Sequence, residues 1–184
     1  MAISRPSNLR EVPGAFVKYA RHLLSGDYLP KIERCLEQLS DDQVWWRAND
    51  DSNSIGNLLL HLSGNARQWI VCGLGGETDR RQRDEEFTQR EGIARDVLLK
   101  RLKDTLAEVD TVLAAFDTST LLEQRAIQRT EVTALEAIFH VTEHFSMHTG
   151  QIILLTKLLS HKDLQFYDFS TGAPVTTSGT NKNN

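Results

Sequence analysis

Apolar residues recur at three- and four-residue intervals in four long stretches of the chain, with turn signals between them. That spacing predicts four helices. The first covers about residues 14–39 and carries Phe16, Ala20, Leu23, Leu24, Leu29, Ile32, Leu36 and Leu39. Ser25-Gly-Asp27 interrupts it, and Pro30 suits the first turn of a renewed helix, so a break near Gly26 is expected. Ser40-Asp-Asp-Gln43 has the form of a capping box and opens a short turn bearing Trp45 and Trp46. The second helix covers about residues 54–74, with an apolar stripe of Ile55, Leu58, Leu59, Leu62, Ala66, Trp69 and Ile70, and Gly73-Leu-Gly-Gly76 stops it. A charged stretch over about residues 77–88 then reads as solvated surface. The third helix is expected from a capping box at Thr88-Gln-Arg-Glu91 to near Phe116, and the fourth from another at Thr133-Ala-Leu-Glu136 to near Ser160. Between them, Arg125 to Arg129 has extended character, but no series of strands is evident. The fold class this predicts is all-α, most economically a four-helix bundle.

Composition narrows the setting. The chain's 184 residues suit one domain, expected over residues 1–170, with a flexible Thr-, Asn- and Gly-rich tail over 171–184. Net charge is −4 and Arg and Lys alternate with Asp and Glu, which argues against a nucleic-acid partner. The opening residues lack the apolar centre of a signal peptide, and no apolar run approaches the roughly 20 residues needed to cross a bilayer. A cytoplasmic protein is expected, with Cys35 and Cys72 as reduced thiols and Cys72, in an apolar run, as a small core residue.

The chemistry concentrates in the fourth helix. His140, His144 and His148 are half of the six histidines. At four-residue steps on a helix each drifts only about 40° from the last, so they share a face. Ala137, Val141, His144, His148, Gln151, Leu155 and Leu158 follow alternating steps of four and three, the spacing of a core-facing seam. His144 and His148 are therefore expected to point inward, with His140 nearer the edge. Buried imidazoles need partners. Helix two offers one: His61 sits among leucines, with Asn57 and Asn65 one turn to either side. If the two helices are neighbours, His61 faces His144 and His148, and three imidazoles make a metal centre with an open position. The three histidines of helix four cannot serve one ion together, because their row is about 12 Å long at 1.5 Å per residue. His140, Asn57, Asn65 and Gln151 are candidates for supporting the ligands or lining a pocket.

The competing motif is His140-Val-Thr-Glu143-His144, which fits the inverted zinc-peptidase signature. It leaves His148 unexplained and needs a downstream carboxylate, where only Asp163 and Asp168 follow. His22 and His161 are expected to be structural or exposed, and Trp45, Trp46 and Trp69 to be packing residues. Glu143 lies about 100° from His144 around the helix, a poor direction for a proton shuttle.

Three segments carry a family resemblance: Asp42-Gln-Val-Trp-Trp-Arg47, Asn53-Ser-Ile-Gly-Asn-Leu-Leu-Leu-His-Leu62 with Gly64-Asn-Ala-Arg-Gln-Trp69, and Glu143-His-Phe-Ser-Met-His-Thr-Gly-Gln-Ile152. In this the chain resembles the DinB-like (YfiT-like) superfamily of metal-binding four-helix bundles, in an uncharacterised bacterial subgroup. Matched residue by residue, the resemblance implies a metal triad of His61, His144 and His148, a zinc or nickel ion, and a homodimer. It further implies a transferase that joins a low-molecular-weight thiol, such as bacillithiol or mycothiol, to an electrophile. The alternatives are hydrolysis by metal-bound water and a non-enzymatic, stress-related metal-binding protein.

Overall fold

The structure, a computed structural model, describes residues 11–168 and 173–174. The expected tail over residues 171–184 lies almost wholly outside the described residues. Four long helical rods surround one apolar core, and a small hairpin joins the last two.

The first rod is α1 (Val12–His22), a π-helical segment (Leu23–Tyr28) and α2 (Leu29–Leu36) in unbroken succession. The break expected near Gly26 is thus a wider turn, in which the Leu29 N–H donates to Leu24 O. Pro30 has no N–H to give, and in a straight α-helix its ring would collide with the carbonyl four residues back. The π segment just before it accommodates both. The Ser40 capping box forms and opens α3 (Asp41–Trp45).

The second rod is α4 (Ile55–Ala66) and a π segment (Arg67–Cys72), and every residue of its predicted stripe is buried. Its N-terminus is a capping box: Ser54 accepts from the Asn57 N–H, and Asn57 Oδ1 accepts from the Ser54 N–H. Gly56 lets this rod lie against Trp45, whose ring a Cβ would meet at 2.8 Å. The charged stretch that follows is not all solvated surface. It contains α5 (Arg83–Thr88), which packs on α4 and buries Glu86.

The third rod, α6 (Arg95–Ala114), starts seven residues after Thr88. The Thr88 box does not form because the position that should anchor its first turn is Gly92, at φ 91°. Where boxes do form, the corresponding residues Val44, Leu58 and Ala137 are buried. Here Asp41 Oδ1 takes the Arg95 N–H instead, at 2.9 Å.

The extended character near Arg125 resolves into an antiparallel hairpin, β1 (Gln124–Ile127) with β2 (Thr130–Thr133). Gln128 and Arg129 turn it with φ of 52° and 64°, as a two-residue primed turn requires. A second, two-residue pairing joins Tyr167–Asp168 to Ala173–Pro174.

The fourth rod, α7 (Ala134–Ser160), opens at the Thr133 box and ends at His161 in the left-handed conformation. It packs on the first and second rods, and α6 likewise packs on both, chiefly on the second. Its buried stripe runs Ala137, Val141, His144, Phe145, His148, Ile152 and Thr156. The predicted seam holds as far as His148 and then fails, since Gln151 and Leu158 are exposed and Leu155 is only half-buried. A strict 3.5-residue repeat drifts about 20° per heptad on a straight helix, and the core follows the 3.6-residue period. Cys72, expected in the core, is only half-buried, while Cys35 is fully buried; both are free thiols. No helix among the described residues is long and apolar enough to cross a membrane.

Candidate metal centre

Helices α4 and α7 are neighbours, and they bring His61, His144 and His148 together, 6%, 8% and 9% exposed. His144 Nε2 lies 3.1 Å from His61 Nε2 and 3.0 Å from His148 Nε2. The ligand atoms of all three lie within 4.8 Å of one another.

The outer nitrogens explain why the inner ones are available. His148 Nδ1 faces Gln151 Oε1 at 2.7 Å, and His61 Nδ1 faces Glu86 Oε2 at 3.0 Å. An oxygen acceptor at Nδ1 places the proton there, which leaves the Nε2 lone pair free. Two lone pairs therefore converge on His144 Nε2. If that nitrogen carried a proton it could satisfy only one of them. If its proton sits on Nδ1, three lone pairs face one point, and Nδ1 has no hydrogen-bond partner. A cation satisfies all three at once. The donor set fits a borderline-soft divalent ion, and three protein ligands leave one position of a tetrahedral site for a further group.

Burial, reinforced by His148, His61 and His140, pushes the His144 imidazole down to about 3. Burial also lowers His148 and His140. His144 is thus neutral at pH 7, the state a ligand needs. An unfolded histidine takes up its proton near 6.5, above the folded value. The metal-free protein therefore loses stability as pH falls below about 6.5 and goes on losing it towards about 3. The urea midpoint of metal-free protein should be lower at pH 5 than at pH 7, with a smaller difference in His144→Gln. Equal differences in both proteins would contradict this.

The remaining candidates fall outside the triad. His140 is stacked on His144 at 5.3 Å between ring centroids, but its Nε2 faces Asn65 Nδ2 at 3.3 Å and its ring lies 4.2 Å from that of Trp69. Asn65 therefore holds His140. Glu143 projects outward, 3.8 Å from His140 Nδ1, which leaves the peptidase reading without its base or its ligand pair. Gln151 supports His148 although it is exposed. Asn57 caps α4 and donates to the carbonyls of Glu86 at 2.7 Å and Gln89 at 2.9 Å.

Glu86 and Arg81 are the residues that sequence reasoning missed. Arg81 Nε and Nη2 donate to the two oxygens of Glu86 at 2.7 and 2.8 Å. Burial alone would raise the Glu86 carboxyl, but the hydrogen bonds and charges of Arg81 and His61 outweigh it and hold it below its usual range. Gly64 makes the space, since a Cβ there would stand 2.0 Å from Glu86 Oε1. Gly64→Ala should therefore cost about 1–3 kcal/mol, the usual range for overpacking, read as a lower urea midpoint at unchanged slope. A shift within error would show that the pair moves aside freely. On the far side of the pair is a cleft of about 310 Å³ whose walls include Arg67, Gln68, Arg80 and Arg101.

Fold and site together define a mostly helical protein with a buried histidine triad able to hold a metal ion. The chain belongs to the family described as a protein of unknown function, DUF1572, whose model matches residues 12–173. Among solved structures it is similar to a conserved protein from Enterococcus faecalis, with 15% identity and a TM-score of 0.67 over 79% of this chain and 97% of that one. At that identity the likeness shows the fold alone. No functionally curated protein matches the chain.

Proposed function

We propose that this chain is a metal-binding four-helix bundle of the DinB-like type that joins a low-molecular-weight thiol to an electrophile, with zinc or nickel held by His61, His144 and His148. The convergence of three Nε2 atoms on one point is the observation that carries this reading. A divalent ion there would supply the positive charge that lowers the pKa of a thiol at the fourth position. The chain's own thiols are poor nucleophiles, because burial pushes Cys35 up to about 11 and also raises Cys72. The reacting sulfur must then come from the substrate. Gln151, which orients His148, also borders a groove of about 240 Å³ with Ser52, Asn53, Leu58, Leu154 and Leu155.

The test is to incubate zinc- or nickel-loaded protein with a small thiol and an aryl halide, following adduct formation by mass spectrometry. Adduct should form with the wild type and not with His148→Ala. Loaded protein that consumes neither reagent would overturn the transferase reading and favour an ion that only ties helices together. A homodimer is part of the same proposal. The exposed Phe139, Met147 and Leu154 along α7 support it, and a monomer mass by light scattering would exclude it.

A further inference from the structure

Glu86 is the one buried carboxylate among the described residues. Its partner Arg81 is 4% exposed along the side chain and Glu86 is 7% exposed. A buried ion pair is a weak source of stability, since apolar replacements of similar volume often do as well. The chain nevertheless invests several contacts in this one. Asn57 pins the backbone of α5 by two carbonyls, Gly64 vacates the space for the carboxylate, and Gln68 Oε1 accepts from Arg81 Nη1 at 2.8 Å.

The site's geometry contains a choice. His61 Nδ1 lies 3.0 Å from Glu86 Oε2, an acceptor, and 3.1 Å from Arg81 Nη2, a donor. The carboxylate calls for a proton on Nδ1, and the guanidinium alone would call for a lone pair there. In the second case the single proton of a neutral ring sits on Nε2, the nitrogen that faces His144. The geometry points to Glu86 as the positioning residue that makes His61 a metal ligand, by overriding Arg81 and holding the proton on Nδ1. The pair acts as a selector, because removing the carboxylate alone turns Arg81 into an opponent of ligation. This extends the metal-centre reading, and half of its test needs no metal.

Glu86→Met and the double variant Arg81→Met/Glu86→Met separate the roles. The double variant leaves no unpaired buried charge, so it serves if the single one fails to fold. In metal-free wild type, the imidazole 15N shifts of His61 should report Nδ1–H. In Glu86→Met they should report Nε2–H, and in the double variant a mixture. Zinc affinity, measured by competition with a chromophoric chelator, should fall about 10–100-fold in either variant, the range for loss of an outer partner of a ligand. A purely structural role would lower stability and leave the tautomer alone. Folded variants that keep Nδ1–H would overturn the proposal, as would wild-type zinc affinity in both. A wild type that takes up no zinc, with the tautomer still shifting in the variants, would instead remove the metal reading and leave the selector standing.

Discussion

Replacing His144 with alanine should abolish metal binding, the largest functional effect that any single change to this chain is expected to have. Its Nε2 is the shared neighbour of the other two, 3.1 Å from His61 Nε2 and 3.0 Å from His148 Nε2. Without it the remaining pair offers two ligands where a zinc site needs three or four. The loss should exceed the roughly 10–100-fold caused by removing an outer partner, so the purified variant should carry almost no ion. His140→Ala is the matched control. It removes a ring stacked on His144, but one whose nitrogen faces Asn65. Metal content per folded chain, by mass spectrometry, should stay near the wild-type value in His140→Ala and fall towards zero in His144→Ala, His61→Ala and His148→Ala. Unchanged content in the three triad variants would sink the centre altogether.

Phe145→Ala should be the most destabilising core change, at about 3–5 kcal/mol. Phe145 is fully buried, and it follows His144 directly on the helix that carries two of the three triad histidines. Since small domains hold only about 5–15 kcal/mol in total, the metal-free variant should be marginal at 25 °C. Zinc that binds only the folded form should restore part of the loss, about 2.7 kcal/mol at a hundred times its dissociation constant. Urea unfolding with and without zinc would measure both effects. Leu158→Ala is the informative companion. A 3.5-residue seam makes Leu158 a core position, yet it is 56% exposed, so its loss should shift stability by less than about 0.5 kcal/mol. Equal costs for Phe145→Ala and Leu158→Ala would mean that α7 presents the other face to the core.

The failure of that seam past His148 shows how far one-dimensional spacing reaches. Steps of four and three locate His144 and His148 on an inward face because over two turns the 3.5 and 3.6 periods hardly differ. By Leu158 the accumulated drift has carried the residue to the surface. Capping boxes behave similarly. The patterns at Ser40 and Thr133 are read correctly because a buried residue follows each in the next turn, while that at Thr88 is followed by Gly92 and forms nothing.

The sharpest limit is at Glu86. In Arg83-Asp-Glu-Glu-Phe87 nothing local separates it from Asp84 and Glu85, both exposed. Phe87, whose ring lies 4.7 Å from that of His61, is the one hint that this turn docks. Asn57 is legible as a polar residue one turn from His61, but its duty as a cap and as the anchor of α5 is not.

Local spacing is enough to define the four rods, two of the capping boxes, the inward pair His144 and His148, and His61 as their candidate partner. Helical periodicity and hydrogen-bonded ends are properties of consecutive residues, so a linear reading can see them. Assembly alone decides that α4 lies beside α7, that Gly64 leaves room for a carboxylate, and that this carboxylate and Arg81 compete for one nitrogen of His61. Those outcomes depend on groups 20 to 83 residues apart meeting within about 3 Å, and the free energy of such meetings resides in the desolvation and geometry of the contact, which no single segment contains.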